Sequence, residues 1–193
     1  GEKFFREIEQ NCWDPKVRID DYAQFNTQVQ VVCTIPVMFS YDAKPADCLE
    51  VSQFLNDDLA QLCRTYPKNY VALATIPMQD AELAIAELER CKNDLNIHGI
   101  QIGSNINDLN LSEPEFFPIF EACARLGMAV MIHPWNMMGK RDMEKYWLPW
   151  LVGMPAETSR AACSLIFGGV LQRLPNLRVN FSHASGSFLA TIG

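Results

Sequence analysis

Apolar residues along this chain follow two alternating periods. Short runs at 29–35, 70–76, 98–103, 128–133 and 177–183 carry dense Val, Ile, Phe and Leu and predict β-strands. Between them the apolar positions recur at helical spacing: Leu49, Phe54, Leu55, Leu59 and Leu62 within 45–66, then Leu83, Ala84, Ala86, Leu88 and Cys91 within 81–91. Ser112 with Glu115 three residues on predicts a capping box for a helix running to about Leu126, where Gly127 ends it. A last helix is expected over 156–174.

Strand alternates with helix throughout, so the strands are expected to be parallel and buried on both faces. Five such units fit either a doubly wound sheet or part of an eight-stranded barrel, and no Gly-x-Gly-x-x-Gly follows any strand to favour a dinucleotide. One interval is longer than the rest. It holds an extra segment at 136–155, rich in Met, Trp and Tyr, placed where a barrel enzyme builds a pocket wall.

Composition narrows the classes further. With 193 residues, 49% of them hydrophobic, the chain buries a sizeable core as one domain or a large part of one. Its formal charge of -7 argues against a basic footprint for nucleic acid or anionic membrane. No run reaches the ~20 apolar residues that span a bilayer, and the opening residues lack a signal peptide's apolar core. The seven cysteines include no Cys-x-x-Cys pair, which favours reduced thiols and a cytosolic location over disulfides or a thiolate zinc site.

Two of the three histidines end predicted strands. His133 closes AVMIH before Pro134, and His183 closes LRVNFSH before the small residues ASGS. A strand-end histidine can ligate a metal through one ring nitrogen while the other bonds a fixed acceptor, so His133 fits a ligand and fits equally a hydrogen-bonded core histidine. For His183 the readings are an acid–base group, since imidazole titrates near neutrality, or a cap for the next helix. His98 opens its strand and is expected to be structural. Arg6, among Phe4, Phe5 and Ile8, is either a carboxylate anchor or a surface residue. Trp135, Met137, Met138, Tyr146, Trp147 and Trp150 could form a flat apolar wall, a packed core or a subunit interface.

The segments NCWDP at 11–15, IPVMFSY at 35–41, GIQIG at 99–103, HPW at 133–135 and KYWLPWLVGMPAET at 145–158 together resemble the 2-amino-3-carboxymuconate 6-semialdehyde decarboxylase family of the amidohydrolase superfamily. The likeness runs over essentially the whole chain. It implies a partial (β/α)8 TIM barrel with about five of the eight units present, a zinc ion, and non-oxidative decarboxylation in the kynurenine route of tryptophan breakdown. Loss of the carboxylate there diverts the semialdehyde from quinolinate toward 2-aminomuconate semialdehyde and picolinate. Carried over residue by residue, the resemblance implies a zinc ligand at His133, the acid–base histidine at His183 and a carboxylate-binding arginine at Arg6. Trp135, Met137, Trp147 and Trp150 fall in the family's pocket region. His183 would take a proton from zinc-bound water.

The departures shape further expectations. The family's first strand ends in a His-x-His pair and its last supplies an aspartate ligand; the chain has neither, so a fragment lacking both ends, poor in zinc affinity and inactive alone, is expected. The complete form is expected to be a homodimer with a small dicarboxylate semialdehyde as substrate. A metal-dependent hydrolase of the same superfamily and a non-catalytic dimerising partner of a full-length homologue are the alternatives.

Overall fold

The structure, a computed structural model, describes residues 7–192. Helix α1 (Pro15–Ala23) starts at Asp14, whose carboxylate accepts from the backbone N–H of Lys16 and Val17 at 2.9 and 3.1 Å, with Pro15 in the first turn where no N–H is needed. Strand β1 (Gln30–Val32) leads to α2 (Pro45–Thr65), then β2 (Tyr70–Ala72), and α3 (Ala81–Asn93), which Asp80 caps by accepting from Leu83 N–H. Next come β3 (Gly99–Gly103), a small antiparallel hairpin of β4 (Asn105–Ile106) and β5 (Leu109–Asn110), and α4 (Phe117–Leu126). Strand β6 (Ala129–His133), α5 (Met154–Phe167), the short α6 (Val170–Arg173), β7 (Arg178–Phe181) and the short α7 (Phe188–Thr191) complete the order.

The long strands pair in parallel, as the alternation requires. β1 lies beside β2, and β3, β6 and β7 form a second row in that order, joined to the first by a parallel bridge between Ala74 and Ile100. The register sets Gly103 opposite His133 and Ile132 opposite Phe181, so β3 and β6 end level with each other.

Helices α3, α4 and α5 pack on one face of these strands. Ala72, Ala74, Ile100, Ile102, Val130 and Ile132 lie in one buried cluster with Leu88 and Cys91 of α3, Ile119, Phe120 and Cys123 of α4, and Ala161 and Leu165 of α5. Strand alternation turns Val31, Val71, Gln101, Met131 and Asn180 to the other face. There Val31 is 62% and Val71 46% exposed, so burial on both faces fails for β1 and β2; Gln101 of β3, in contrast, is buried.

Two helix expectations are corrected. Ser112 is no cap: Glu113, preceding Pro114, is held extended (ψ 145°), so a 3-10 turn at Pro114–Phe116 intervenes and α4 proper begins at Phe117. The Ser112 N–H donates to Ser164 Oγ on α5 instead. Gly127 does end α4, at φ 64°. The helix expected over 156–174 starts two residues earlier and breaks at Gly168 and Gly169, where Gly169 takes φ 74° and a Cβ on Gly168 would lie 2.4 Å from Ser112 Cβ.

Phe120, fully buried in this cluster, anchors α4 to the sheet. Phe120→Ala is expected to lower unfolding free energy by about 3–5 kcal/mol, read as a reduced urea midpoint with an unchanged m-value.

Candidate active site at the ends of the parallel strands

His133 is the last residue of β6, and Pro134 stops the strand beyond it. His183 follows β7 by two residues. The two imidazoles, 50 residues apart in sequence, meet edge to face with ring centroids 5.3 Å apart and planes at 68°.

Each ring is held differently. His133 Nδ1 lies 3.0 Å from the Pro134 carbonyl oxygen, which can only accept, so Nδ1 carries the proton and Nε2 keeps a free lone pair. The ring is partly buried, and burial pushes its pKa below the ordinary histidine value; the nearby His183 pushes the same way, against the Pro134 hydrogen bond. His183 is exposed, with Nδ1 3.3 Å from Ser182 Oγ.

The segment carrying His183 is strained and braced. His183, Ala184 and Ser185 all take positive φ (51°, 49° and 65°), a region that disfavours residues with a Cβ. The small residues after His183 are seated against α5. Ser187 N–H donates to Ser159 Oγ at 2.9 Å, and Ser159 Oγ in turn donates to the Pro155 carbonyl. Gly186 (φ 64°, ψ −130°) passes so close that a Cβ there would sit 2.0 Å from the Pro155 oxygen, so no other residue fits.

The remaining candidates are distributed as follows. Trp135 and Phe39 meet edge to face (5.9 Å, 77°), Phe39 stacks on the buried Tyr41, and Tyr41 Oη accepts from Gly103 N–H at the end of β3. Met137 packs against the turn at Pro149–Gly153, where a Cβ on Gly153 would meet its Cβ at 3.2 Å. Trp147 and Trp150 pair with each other at 4.8 Å and are 61% and 41% exposed. His98 is exposed at the opening of β3, between Lys92 Nζ and Asn96 Oδ1. Arg6 lies outside the described residues. All seven cysteines are free thiols, with Cys48, Cys91 and Cys123 buried and Cys12 exposed.

Glu157, Ser104 and Asn105 escaped the sequence reading. Glu157, on the first turn of α5, is fully buried, and its carboxylate accepts from Met138 N–H (2.8 Å), Arg160 Nη2 (2.8 Å), Ser104 Oγ (3.1 Å) and Asn105 Nδ2 (3.2 Å). A signal existed: Glu157 shares the i, i+4, i+8 stripe of Ala161 and Leu165, an acid on a helix's inward face.

Among the described residues no group of three His, Cys, Asp or Glu could hold a metal ion. His133 offers one donor of suitable geometry; the described residues do not make a metal site by themselves. No helix among them is long and apolar enough to cross a membrane.

The chain has counterparts among known proteins. The amidohydrolase family model matches residues 9–191, and the chain belongs to that family. It is 58% identical over 191 residues to 2-amino-3-carboxymuconate-6-semialdehyde decarboxylase of Dictyostelium discoideum, an alignment covering 99% of this chain and 53% of that protein. The chain thus spans about half the length of the curated relatives it matches. Among solved structures, 5-carboxyvanillate decarboxylase of Sphingomonas paucimobilis superposes with a TM-score of 0.82 at 26% identity, covering 89% of this chain and 52% of that one. The 5-carboxyvanillate decarboxylase of Novosphingobium aromaticivorans, solved with bound manganese, gives a TM-score of 0.83 at 24% identity over 91% of this chain and 51% of its own, a likeness of fold.

The pH dependence of stability carries the signature of His133. Its folded pKa lies below the ~6.5 of the unfolded chain, so the unfolded state binds more protons in that window and stability drops as pH falls through it. The urea midpoint is expected to fall on acidification from about pH 7.5 to 5.5, and His133→Asn to flatten that fall; parallel pH profiles for chain and variant would contradict the assignment.

Proposed function

We propose that this chain is part of a metal-dependent, non-oxidative decarboxylase whose substrate is 2-amino-3-carboxymuconate 6-semialdehyde. The observation that carries the reading is the meeting of His133 and His183, a partly buried imidazole with a free Nε2 and an exposed one beside it, at the carboxyl ends of neighbouring parallel strands. The 58% identity to the Dictyostelium decarboxylase supports the substrate, and the superposition on other decarboxylases supports the chemistry.

In this reading the strands are an arc of a (β/α)8 barrel and the strand ends face the substrate. Breaking the bond to carbon dioxide leaves an electron pair on the substrate carbon, and a proton must arrive there; His183, exposed and braced, is the residue that moves it. His133 is one donor to a divalent metal, zinc by the sequence likeness, and its other ligands come from outside the described residues. Manganese, bound in the Novosphingobium structure, is the second candidate. Arg6 holds a substrate carboxylate, and Trp135, Met137, Trp147 and Trp150 line the apolar side. A cytosolic homodimer is the assembly that goes with this reading.

The test compares this chain with a version extended to the length of its relatives, each loaded with zinc or manganese and supplied with the semialdehyde. The extended protein is expected to release carbon dioxide and the short chain to show negligible turnover. His183→Ala in the extended protein is expected to lower kcat by about 10²- to 10⁴-fold at unchanged metal content. Unimpaired turnover by that variant, or hydrolysis of lactone or amide substrates without carbon dioxide release, would sink the proposal.

A further inference from the structure

The peptide that follows His133 is hydrogen-bonded at both of its ends. The Pro134 carbonyl accepts from His133 Nδ1 at 3.0 Å, and the N–H of the same peptide, on Trp135, donates to Ser104 Oγ at 3.0 Å. Ser104 has one hydroxyl proton to place. Two acceptors lie in reach: Glu157 Oε2 at 3.1 Å and the Trp135 carbonyl at 3.3 Å. The Trp135 carbonyl already receives Asn105 Nδ2 at 2.7 Å, while Glu157 is charged and nearer, so the proton goes to the carboxylate.

These contacts form one directed chain: His133 Nδ1–H to the Pro134–Trp135 peptide, that peptide's N–H to Ser104, and Ser104 O–H to Glu157. Every member donates toward the carboxylate. A peptide whose N–H leans on a strong acceptor becomes a better acceptor at its carbonyl, so each link strengthens the next. The far end is immovable, since Glu157 is without solvent access and is also held by Met138 N–H and Arg160. Ser104 is 1% exposed, which leaves little water to compete within the chain.

We infer that Glu157 is a positioning residue for His133: acting through Ser104 and the Pro134–Trp135 peptide, it holds the imidazole as the Nδ1–H tautomer and presents the Nε2 lone pair at the strand end. A free imidazole side chain in water favours the opposite tautomer, so the environment imposes this one. The relay stands on geometry alone; its use, to offer Nε2 to a metal, rests on the proposed function.

Histidine ring-nitrogen NMR on this chain without metal, at about pH 8 where imidazoles are neutral, reads the relay with neither substrate nor turnover. His133→Asn assigns the signal. In the unaltered chain His133 is expected to show a protonated Nδ1, an unprotonated Nε2 and a coupling through the hydrogen bond to the Pro134 carbonyl carbon. Ser104→Ala removes the hydroxyl but leaves Glu157 its contacts with Met138, Asn105 and Arg160. It is expected to lower the Nδ1–H to Nε2–H ratio by about twofold to tenfold, with Ser104→Thr restoring it and the backbone amide spectrum unchanged. Glu157→Gln is expected to shift the ratio the same way.

An Nε2–H tautomer in the unaltered chain overturns the inference whatever the variants do, and so does an unmoved ratio in natively folded Ser104→Ala. The expected tautomer together with an inactive extended protein would count against the proposed function and leave the relay standing.

Discussion

Glu157 cannot reach water, so each of its lone pairs must be satisfied by a donor that the fold brings to it. The donors come from three places: Ser104 and Asn105 just past β3, Met138 in the segment after β6, and Arg160 one turn along α5. Losing any one of them leaves a lone pair of a buried carboxylate unmet, while the others stay in place. This requirement ties the ends of two neighbouring strands to one helix, and it does so at the level where His133 leaves the sheet.

The same helix governs the second histidine. Pro155 and Ser159, on either side of Glu157, supply the oxygens against which residues 186 and 187 are seated. The backbone at His183, Ala184 and Ser185 would relax out of the left-handed region if that seat were absent. One face of the first two turns of α5 therefore grips the segment after β6, and a neighbouring one grips the segment after β7. The 5.3 Å approach of the two imidazoles is the product of both grips. For the proposed function such joint placement matters, because small displacements of reacting groups cost large factors in rate.

Most of the architecture was legible along the chain because each element carried its own period. The five long strands fall inside the apolar runs, and α2 and α3 match the helical spacing to within two residues. The misses occurred where a neighbour outweighed a local signal. Ser112 has the spacing of a capping box, yet Pro114 forces Glu113 into extended backbone and Ser164 claims the Ser112 N–H. The paired glycines at 168 and 169 were visible, but only the closeness of Ser112 shows why the helix breaks there. Burial on both faces was inferred from the alternation of strand and helix, whereas Val31 and Val71 are exposed.

What the sequence determined by itself is the order of strands and helices, the placement of His133 and His183 at or just past strand ends, and membership of the amidohydrolase family. Those are properties of local periodicity and of contiguous motifs. Only the tertiary structure decided that the two histidines meet and that Glu157 stands behind both Ser104 and Met138. The reason is physical: a hydrogen bond or ring contact between residues 19 to 53 positions apart depends on register and helix docking, and neither is written in any single stretch of chain.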